Sequence, residues 1–331
     1  MPGDPNHDEP FEAHHVPRPA RLDFPGAIHF VRLQGRPAAS IFFDAMVLNA
    51  AQAPSYEHTP HLKRFIHLVA DIAGECAIRL HAYCVEPNSC TLVIQTLGAP
   101  LDSFMGRLCG QYAHYWRRTH PGHDGRVFAS RYASKVIAPE YLPHAARRAH
   151  LGPVVSGLCR RPIDYPFSSE RDYCGGHTLL SPYKSDVLRA LEARRHTGIR
   201  GYREFMEEPE TPYVTNLFLR GSSQDSRIVG NKVFAQQARD MAAHPAPRPT
   251  KEALIARAAK ELRIRPVDIF SPTPAGALGR ALVAWYGLRA GAATLTDMGR
   301  WFSVTGATLG QALRHHRRAS PALFTEREVF D

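Results

Sequence analysis

Apolar residues recur at helical and strand spacings along the first half of the chain. One helix is expected over 61–74, where Leu62, Phe65, Ile66, Val69 and Ile72 share a face, and a second over 101–118. Segments rich in β-branched and aromatic residues predict strands at 27–33, 76–84, 89–96 and 131–137. A third helix is expected over 140–150.

The order strand, helix, hairpin, helix, strand predicts the α+β class and a ferredoxin-like antiparallel sheet with helices on one face. We expect a disordered tail at 1–17, this domain at 18–175, a helical connector at 176–243 and a Pro-rich linker at 244–250. An all-helical domain is predicted at 251–319, and a tail at 320–331.

Composition narrows the choice of partners. The net charge of +10 indicates a polyanionic partner, with nucleic acid ahead of an anionic membrane surface. No run approaches 18 apolar residues and the N-terminus lacks an apolar signal core, so the sequence predicts a cytoplasmic, nucleoid-associated protein. The six cysteines form no C-x-x-C pair, which argues against a zinc ribbon and for reduced thiols.

Six segments together resemble one family. RLDFPGAIHFVRLQGR, IFFD, RLHAYCVEPNSCTLVIQT, GRVFASRYASKVI, ARRAHLGPVVSGLCRRP and DYPFSSERDY occur in that order, over about half the chain. The set resembles the REP-associated tyrosine transposases, which belong to the HUH superfamily of single-strand DNA transposases. The resemblance implies the HUH fold and a ligand that is hairpin-forming or single-stranded DNA.

Members of that family cut DNA with a tyrosine nucleophile and a divalent metal held by two histidines and an Asn or Gln. The resemblance places the histidines at Ser89 and Thr91, the tyrosine at Arg148 and the amide at Gly152. Hydroxyls are weak ligands for divalent ions, and arginine is not a nucleophile. The sequence therefore predicts a catalytically inactive protein with no metal and no cofactor.

Five other side chains are candidates to replace these chemical groups. Tyr112 and Tyr115 match the apolar stripe of the second helix, so a core position is favoured over a relocated nucleophile. Strand alternation points Cys90 away from its two neighbours and predicts a buried thiol. His81 and His150 have no partner at ligand spacing, which favours structural or surface positions.

Arg148 suggests a different use for the former nucleophile position. A guanidinium holds a phosphate bidentately without cutting it, and the alternative is an arginine on the surface of a helix. Arg160 and Arg161 add charge nearby, while Trp116 and Tyr132 offer stacking faces. The candidate DNA-binding residues of this domain are Arg117, Arg118, Arg126, Arg131, Tyr132, Lys135, Arg147 and Arg148.

The segment 294–318 predicts a helix-turn-helix, with residues 303–305 as the turn. It resembles the duplex-binding domain of the replication initiator DnaA, but its recognition segment departs from that pattern, and a structural three-helix bundle remains the alternative. The residues expected to reach duplex DNA are Thr305, Thr308, Gln311, Arg314 and His315.

Together these features predict a domesticated transposase that binds hairpin or single-stranded DNA and duplex DNA in a transcriptional or chromosomal role. The alternatives are an active DNA-processing enzyme that uses displaced residues, and a module that binds RNA or protein. Monomeric and dimeric states both remain open.

Overall fold

The computed structural model describes residues 21–36, 40–43, 59–122, 125–245 and 247–324. The predicted tail at 1–17 and the end of the tail at 320–331 lie outside these ranges, as does Asp44 of the IFFD segment. Five strands form one sheet in the order β2-β3-β1-β4-β5. Their bounds are β1 Ile28–Gln34, β2 Ile78–Glu86, β3 Ser89–Thr96, β4 Ala133–Ile137 and β5 Ile228–Val229.

The first four strands are antiparallel and follow the ferredoxin-like order, as predicted. Pro87 and Asn88 form the turn between β2 and β3, so Glu86 pairs with Ser89. Gly35 follows β1, and a Cβ at this position would collide with the Asn88 side chain of the β2–β3 turn.

Helices α1 (Pro60–Glu75) and α2 (Leu101–Thr119) pack on one face of the sheet. Their apolar stripes meet Val31 and Leu33 of β1, which are 0% and 1% exposed. Burying such side chains contributes about 1.5–3 kcal/mol each to folding. The predicted bounds of both helices are within one residue of those observed.

The expectation of helices on only one face is wrong. α3 (Leu142–Val155) packs on the opposite face, where its alanines contact Ala82 and Val93. The alternating pleat explains this second core, because every other residue of β1 and β3 faces away from α1 and α2. Each face of the sheet therefore has its own hydrophobic cluster.

The segment 176–243, predicted as a connector, joins this second layer. β5 adds to the edge of the sheet, parallel to β4. Val187, Leu191, Tyr202, Phe205 and Phe218 pack against α3. The helices after α3 are α4 Glu170–Tyr173, α5 Ser185–Glu192, α6 Gly198–Glu207, α7 Pro212–Arg220 and α8 Lys232–Ala243.

Residues beyond the Pro-rich segment fold around a separate core. The helices are α9 Lys251–Leu262, α10 Pro274–Arg289, α11 Leu295–Trp301 and α12 Gly306–Ala319. Each begins after a threonine whose hydroxyl accepts a backbone N–H of the first turn: Thr250, Thr273, Thr294 and Thr305. Such a cap stabilises a helix by about 1 kcal/mol. In the ranges that the structure describes, no helix is long and apolar enough to cross a membrane.

Candidate nucleic-acid interface

A cleft of about 510 Å³ opens on the α3 face of the sheet. It lies between the ends of β1, β3 and β4, the second half of α3, and the segment around α7. Three of the four positions that the resemblance assigned to chemistry line it, namely Thr91, Arg148 and Gly152. The fourth, Ser89, reaches the same place through Glu86, to which it donates a hydrogen bond.

The floor of the cleft follows from strand register. Arg32 of β1 lies between Thr91 of β3 and Ala133 of β4. Because Val31 and Leu33 point into the core beneath α1 and α2, Phe30 and Arg32 must face α3. Alternation along β4 likewise places Lys135 in the cleft.

Glu86 joins Ser89 and the end of α3 in one polar cluster. Its carboxylate accepts hydrogen bonds from Ser89 and, at 2.7 Å, from the Ser156 hydroxyl at the end of α3. A Cβ at Gly152 would lie 3.5 Å from the Glu86 Oε1 atom, in ordinary van der Waals contact, so this part of α3 lies directly beside the carboxylate. The serine hydroxyl is thus engaged with a carboxylate of the chain itself.

Arg148 is not the free cation that the sequence suggested. Its Nη2 atom donates to Glu210 Oε2, and its guanidinium lies 4.5 Å from the centre of the Phe218 ring. The Thr215 hydroxyl donates to the same Glu210 oxygen at 3.0 Å. The glutamate therefore occupies the place at the guanidinium where a phosphate oxygen would bind.

Electrostatics at this pair favour the charged carboxylate. Burial raises the pKa of Glu210, but the neighbouring His144 imidazole and the Arg148 charge outweigh burial and hold this pKa at about 2. Burial, and then the positive charge of Arg148, lower the pKa of Lys135. Positive charge is thus concentrated in the cleft.

Arg147 lies deeper than Arg148. Its Nη2 atom donates to the backbone oxygen of Glu208, and burial lowers its pKa. The Nε atoms of both arginines are buried and have no hydrogen-bond partner among the described residues. A buried N–H group without a hydrogen-bond acceptor costs free energy, so an acceptor supplied by a ligand would be favourable here.

Apolar side chains line the mouth of the cleft. Val155 of α3 is 85% exposed and Leu219 of α7 is 67% exposed, although both line the cavity. Leu151 and Phe30 continue this apolar strip inward. The cleft therefore combines guanidiniums and an ammonium with exposed hydrocarbon.

The candidate substitutes for the catalytic groups lie in structural positions. Tyr112 is fully buried and donates to the backbone oxygen of Ile41, while Tyr115 contacts His61 at 3.1 Å. Cys90 is 1% exposed, and burial raises its pKa well above the usual value. His81 is buried with its Nδ1 atom 3.0 Å from the Tyr183 oxygen.

His150 belongs to a buried polar network beneath the cleft. Its Nε2 atom lies 2.7 Å from the Ser169 hydroxyl, and its Nδ1 atom lies 2.9 Å from Glu170 and 2.6 Å from the Tyr202 hydroxyl. Burial raises the pKa of Glu170, but the bond to His150 contributes to a net lowering. His150 and Ser169 are 0% exposed, so the network ties α3 to α4 and α6 rather than facing solvent.

The predicted basic surface is divided between the two faces. Lys135, Arg147 and Arg148 line the cleft, whereas Arg117 and Arg118 are exposed on α2. Arg126, Arg131 and Arg160 are exposed in loops, and Arg161 pairs with Asp164.

The two aromatic residues proposed for stacking are already covered. Trp116 is 4% exposed and stacks on His120 at 3.9 Å, so the expectation that it offers a free face is wrong. The ring of Tyr132 lies 3.8 Å from the Arg21 guanidinium, and its hydroxyl donates to Asp102. Burial and that bond raise the pKa of Tyr132.

The C-terminal helices have the predicted order and turn. Met298, Leu309 and Leu313 are buried between α11 and α12. The five residues expected to reach duplex DNA are all exposed: Thr305, Thr308, Gln311, Arg314 and His315. Thr305 also caps α12, so its hydroxyl is engaged with the Thr308 backbone N–H at 3.1 Å.

Comparisons with known proteins return one distant structural likeness. No family model and no curated protein matches the chain. A solved structure described as a REP-associated tyrosine transposase bound to a REP hairpin is 15% identical, with a TM-score of 0.38. The match covers 52% of this chain and 93% of that one, a similarity too low to assign a function.

Among the residues that the structure describes, no group of three or more His, Cys, Asp or Glu side chains is placed to hold a metal ion. Sequence reasoning missed Glu86 and Glu210, which are single acids without a motif. It also missed the exposed apolar mouth, because Val155 and Leu219 lie more than 60 residues apart.

Proposed function

We propose that the chain is a DNA-binding protein of transposase-like fold that does not cut DNA. The cleft on the α3 face binds unpaired nucleotides of hairpin or single-stranded DNA, and the C-terminal helices bind duplex DNA. The observation that carries this proposal is the cleft itself. It gathers cationic and apolar side chains around the positions where the resemblance expects metal ligands and a nucleophile.

The charge of the cleft favours an anion. Two carboxylates, Glu86 and Glu210, and five cationic side chains line it: Arg32, Lys135, Arg147, Arg148 and Arg227. A phosphate that displaced Glu210 from Arg148 would keep the guanidinium paired. Fork-like guanidiniums bind phosphate oxygens bidentately, which makes such an exchange favourable.

The apolar mouth favours unpaired bases over a duplex. Bases in a duplex are stacked on each other, whereas unpaired bases can lie on exposed hydrocarbon such as Val155 and Leu219. Duplex DNA presents mainly phosphates to a cleft of this size. A loop or a single strand would use both kinds of surface at once.

The side chains in the cleft support binding without cleavage. Transesterification of DNA by this class of enzyme needs a nucleophile and a polarising ion. The Ser89 hydroxyl is bound to Glu86, and the only other hydroxyl at a ligand position is that of Thr91. Arg148 cannot attack phosphorus, and Tyr112 is buried away from the cleft.

Duplex binding rests on the exposed outer face of α12, which carries residues able to contact phosphates and base edges. A protein that holds a hairpin and a duplex together would suit a regulatory role at DNA sites that carry both. Phosphate contacts would supply much of the affinity and make it depend steeply on salt.

The test is fluorescence anisotropy of the full-length protein with a labelled hairpin and a blunt duplex of the same stem, in EDTA. We expect tighter binding of the hairpin, and Arg148→Ala should weaken it about tenfold through the loss of a charged phosphate contact. Arg161→Ala is the matched control, because Arg161 is exposed and pairs locally with Asp164. Equal binding of hairpin and duplex, or an unaffected Arg148→Ala variant, would contradict the proposal.

A further inference from the structure

The C-terminal unit packs against one end of the layer formed by α1 and α2. Arg289 Nη1 donates to the Gly74 carbonyl oxygen at the end of α1, at 3.2 Å. A Cβ at Gly98 would collide with the Arg289 carbonyl oxygen, and one at Gly291 would collide with Pro100. Close backbone contacts therefore hold the C-terminal unit beside the start of α2.

A cavity of about 430 Å³ lies at this junction. Ser103, Arg107 and Gln111 of α2 line one side. Ala307, Gly310 and Arg314 of α12 line the other. Arg314 is also exposed on the face of α12 expected to meet duplex DNA, so it borders both surfaces.

A second groove, of about 540 Å³, continues from Gln111 between α1 and α2. Gln111 lines both cavities, so the two adjoin at this side chain. Arg107, Gln111, His114 and Arg118 follow one another at intervals of four, three and four residues, which places them on one face of α2. Arg64 of α1 forms the opposite wall.

The groove carries unpaired positive charge. Arg64 and Arg118 of the groove and Arg314 of the adjoining cavity are exposed, and within the described ranges none of them pairs with a carboxylate. Arg107 is neutralised by Glu75 and braces the junction. Asp71 is an exposed acid on α1 but does not line the groove.

The lining differs from that of the cleft. It consists of arginine, glycine, glutamine, histidine and threonine, and its one aromatic ring, Tyr115, is partly buried. Among the described residues, no aliphatic side chain comparable to Val155 or Leu219 lines it. Polar and cationic walls suit the phosphate backbone of a duplex better than unpaired bases.

The groove runs toward the end of the sheet that holds the cleft. Phe128 bridges to Gly35 just beyond β1 and lies 6.2 Å from the Tyr112 ring of α2. The second half of α2 is therefore at the same end of the sheet as Arg32. From Arg107 to Arg118 the helix rises about 16 Å, which matches about five base pairs of duplex.

We propose that the groove between α1 and α2 and the exposed face of α12 form one continuous surface for the backbone of duplex DNA. The duplex bound at α12 then extends along α2 toward the end of the sheet where the cleft opens. One DNA molecule with a duplex arm and an unpaired segment would thus contact both units. This inference rests on the proposed function and adds the path of the duplex.

Gly110 allows a direct test, because a Cβ at this position meets nothing within 4 Å. Gly110→Glu places a negative charge in the groove and Gly110→Lys a positive one, and both raise helix propensity, so the fold should be retained. Gln237→Glu is the charge-matched control on the exposed face of α8. Full-length variants are titrated with duplexes of about 10 and about 20 base pairs, one and two helical turns, and with a single strand.

Gly110→Glu should weaken binding of the longer duplex about fivefold, as expected for the loss of one or two phosphate contacts, and Gly110→Lys should strengthen it. The short duplex and the single strand should bind both variants as they bind the parent. If Gly110→Glu matches Gln237→Glu on the longer duplex while Arg314→Ala weakens it, the inference is overturned and the proposed function stands. If the parent protein binds none of the three probes, both proposals fail.

Discussion

Replacing Glu210 by glutamine should make the protein less stable and its binding of hairpin DNA tighter. Glu210→Gln keeps the shape of the side chain but removes the charge that pairs with Arg148. The freed guanidinium can then bind a phosphate without first losing a partner. If the Glu210–Arg148 pair were only structural, Glu210→Gln would lower stability without tightening the binding of hairpin DNA. A loss of stability together with a gain in affinity therefore distinguishes the two explanations.

The magnitude follows from the pKa of Glu210, which is about 2 against an ordinary 4.5. That difference corresponds to ~3 kcal/mol in favour of the charged form. Because the pair keeps contact with solvent, screening reduces its contribution to about 1–2 kcal/mol. We expect a loss of that size in the free energy of unfolding, and a gain in hairpin affinity of about fivefold to thirtyfold.

The stability difference should depend on pH with a defined sign. A carboxyl group whose pKa is lower in the folded state stabilises the fold above its unfolded value and loses that contribution as pH falls. The gap between the parent and Glu210→Gln should therefore be full at pH 7 and shrink as pH falls from 4.5 toward about 2. Urea denaturation at several pH values measures it.

Glu208→Gln is the matched control for these experiments. It makes the same change of charge two residues away, where the carboxylate faces His196 at 3.2 Å rather than the cleft. This control should leave hairpin affinity near the parent value. If Glu210→Gln binds hairpin DNA no more tightly than Glu208→Gln, the competition between carboxylate and phosphate is refuted.

Two further variants probe the mouth of the cleft and the network beneath it. Val155→Ser should change the free energy of unfolding by less than about 0.5 kcal/mol, because the side chain is 85% exposed. It should nevertheless weaken single-strand binding in anisotropy titrations, and unchanged affinity would remove Val155 from the interface. Tyr202→Phe should cost about 1–3 kcal/mol of stability in urea melts, because it leaves the buried Glu170 without one of its donors. Its hairpin affinity at low temperature should remain that of the parent, and a selective loss of binding would show that the network shapes the cleft.

The sheet and the first two helices were predictable because local pattern determines them. The β-branched and aromatic residues of β1 and β3 and the apolar stripes of α1 and α2 each lie within one continuous segment. The helical layer on the α3 face was not predictable, because its contacts join segments that are distant in the sequence. α6 meets α3 through the pair His150–Tyr202, which are 52 residues apart, and Tyr202 stands in no motif.

Part of the candidate site was likewise predictable from the sequence, and part was not. The sequence resemblance grouped Thr91 and Gly152 in one predicted site, and both residues line the cleft. The partner of Arg148 was not predictable, because Glu210 follows it by 62 residues in a loop that packs back onto α3. The sequence predicted a cation at Arg148, and the tertiary structure showed that Glu210 neutralises it.

The central claim is that the cleft binds DNA without cutting it. The most direct measurement incubates the full-length protein with a labelled hairpin in manganese, confirms binding by anisotropy, and runs the same sample on a denaturing gel. We predict bound DNA that stays full-length, with no label migrating with the protein, and equal binding when EDTA replaces manganese. A manganese-dependent cleavage product or a covalent protein–DNA adduct would contradict the account.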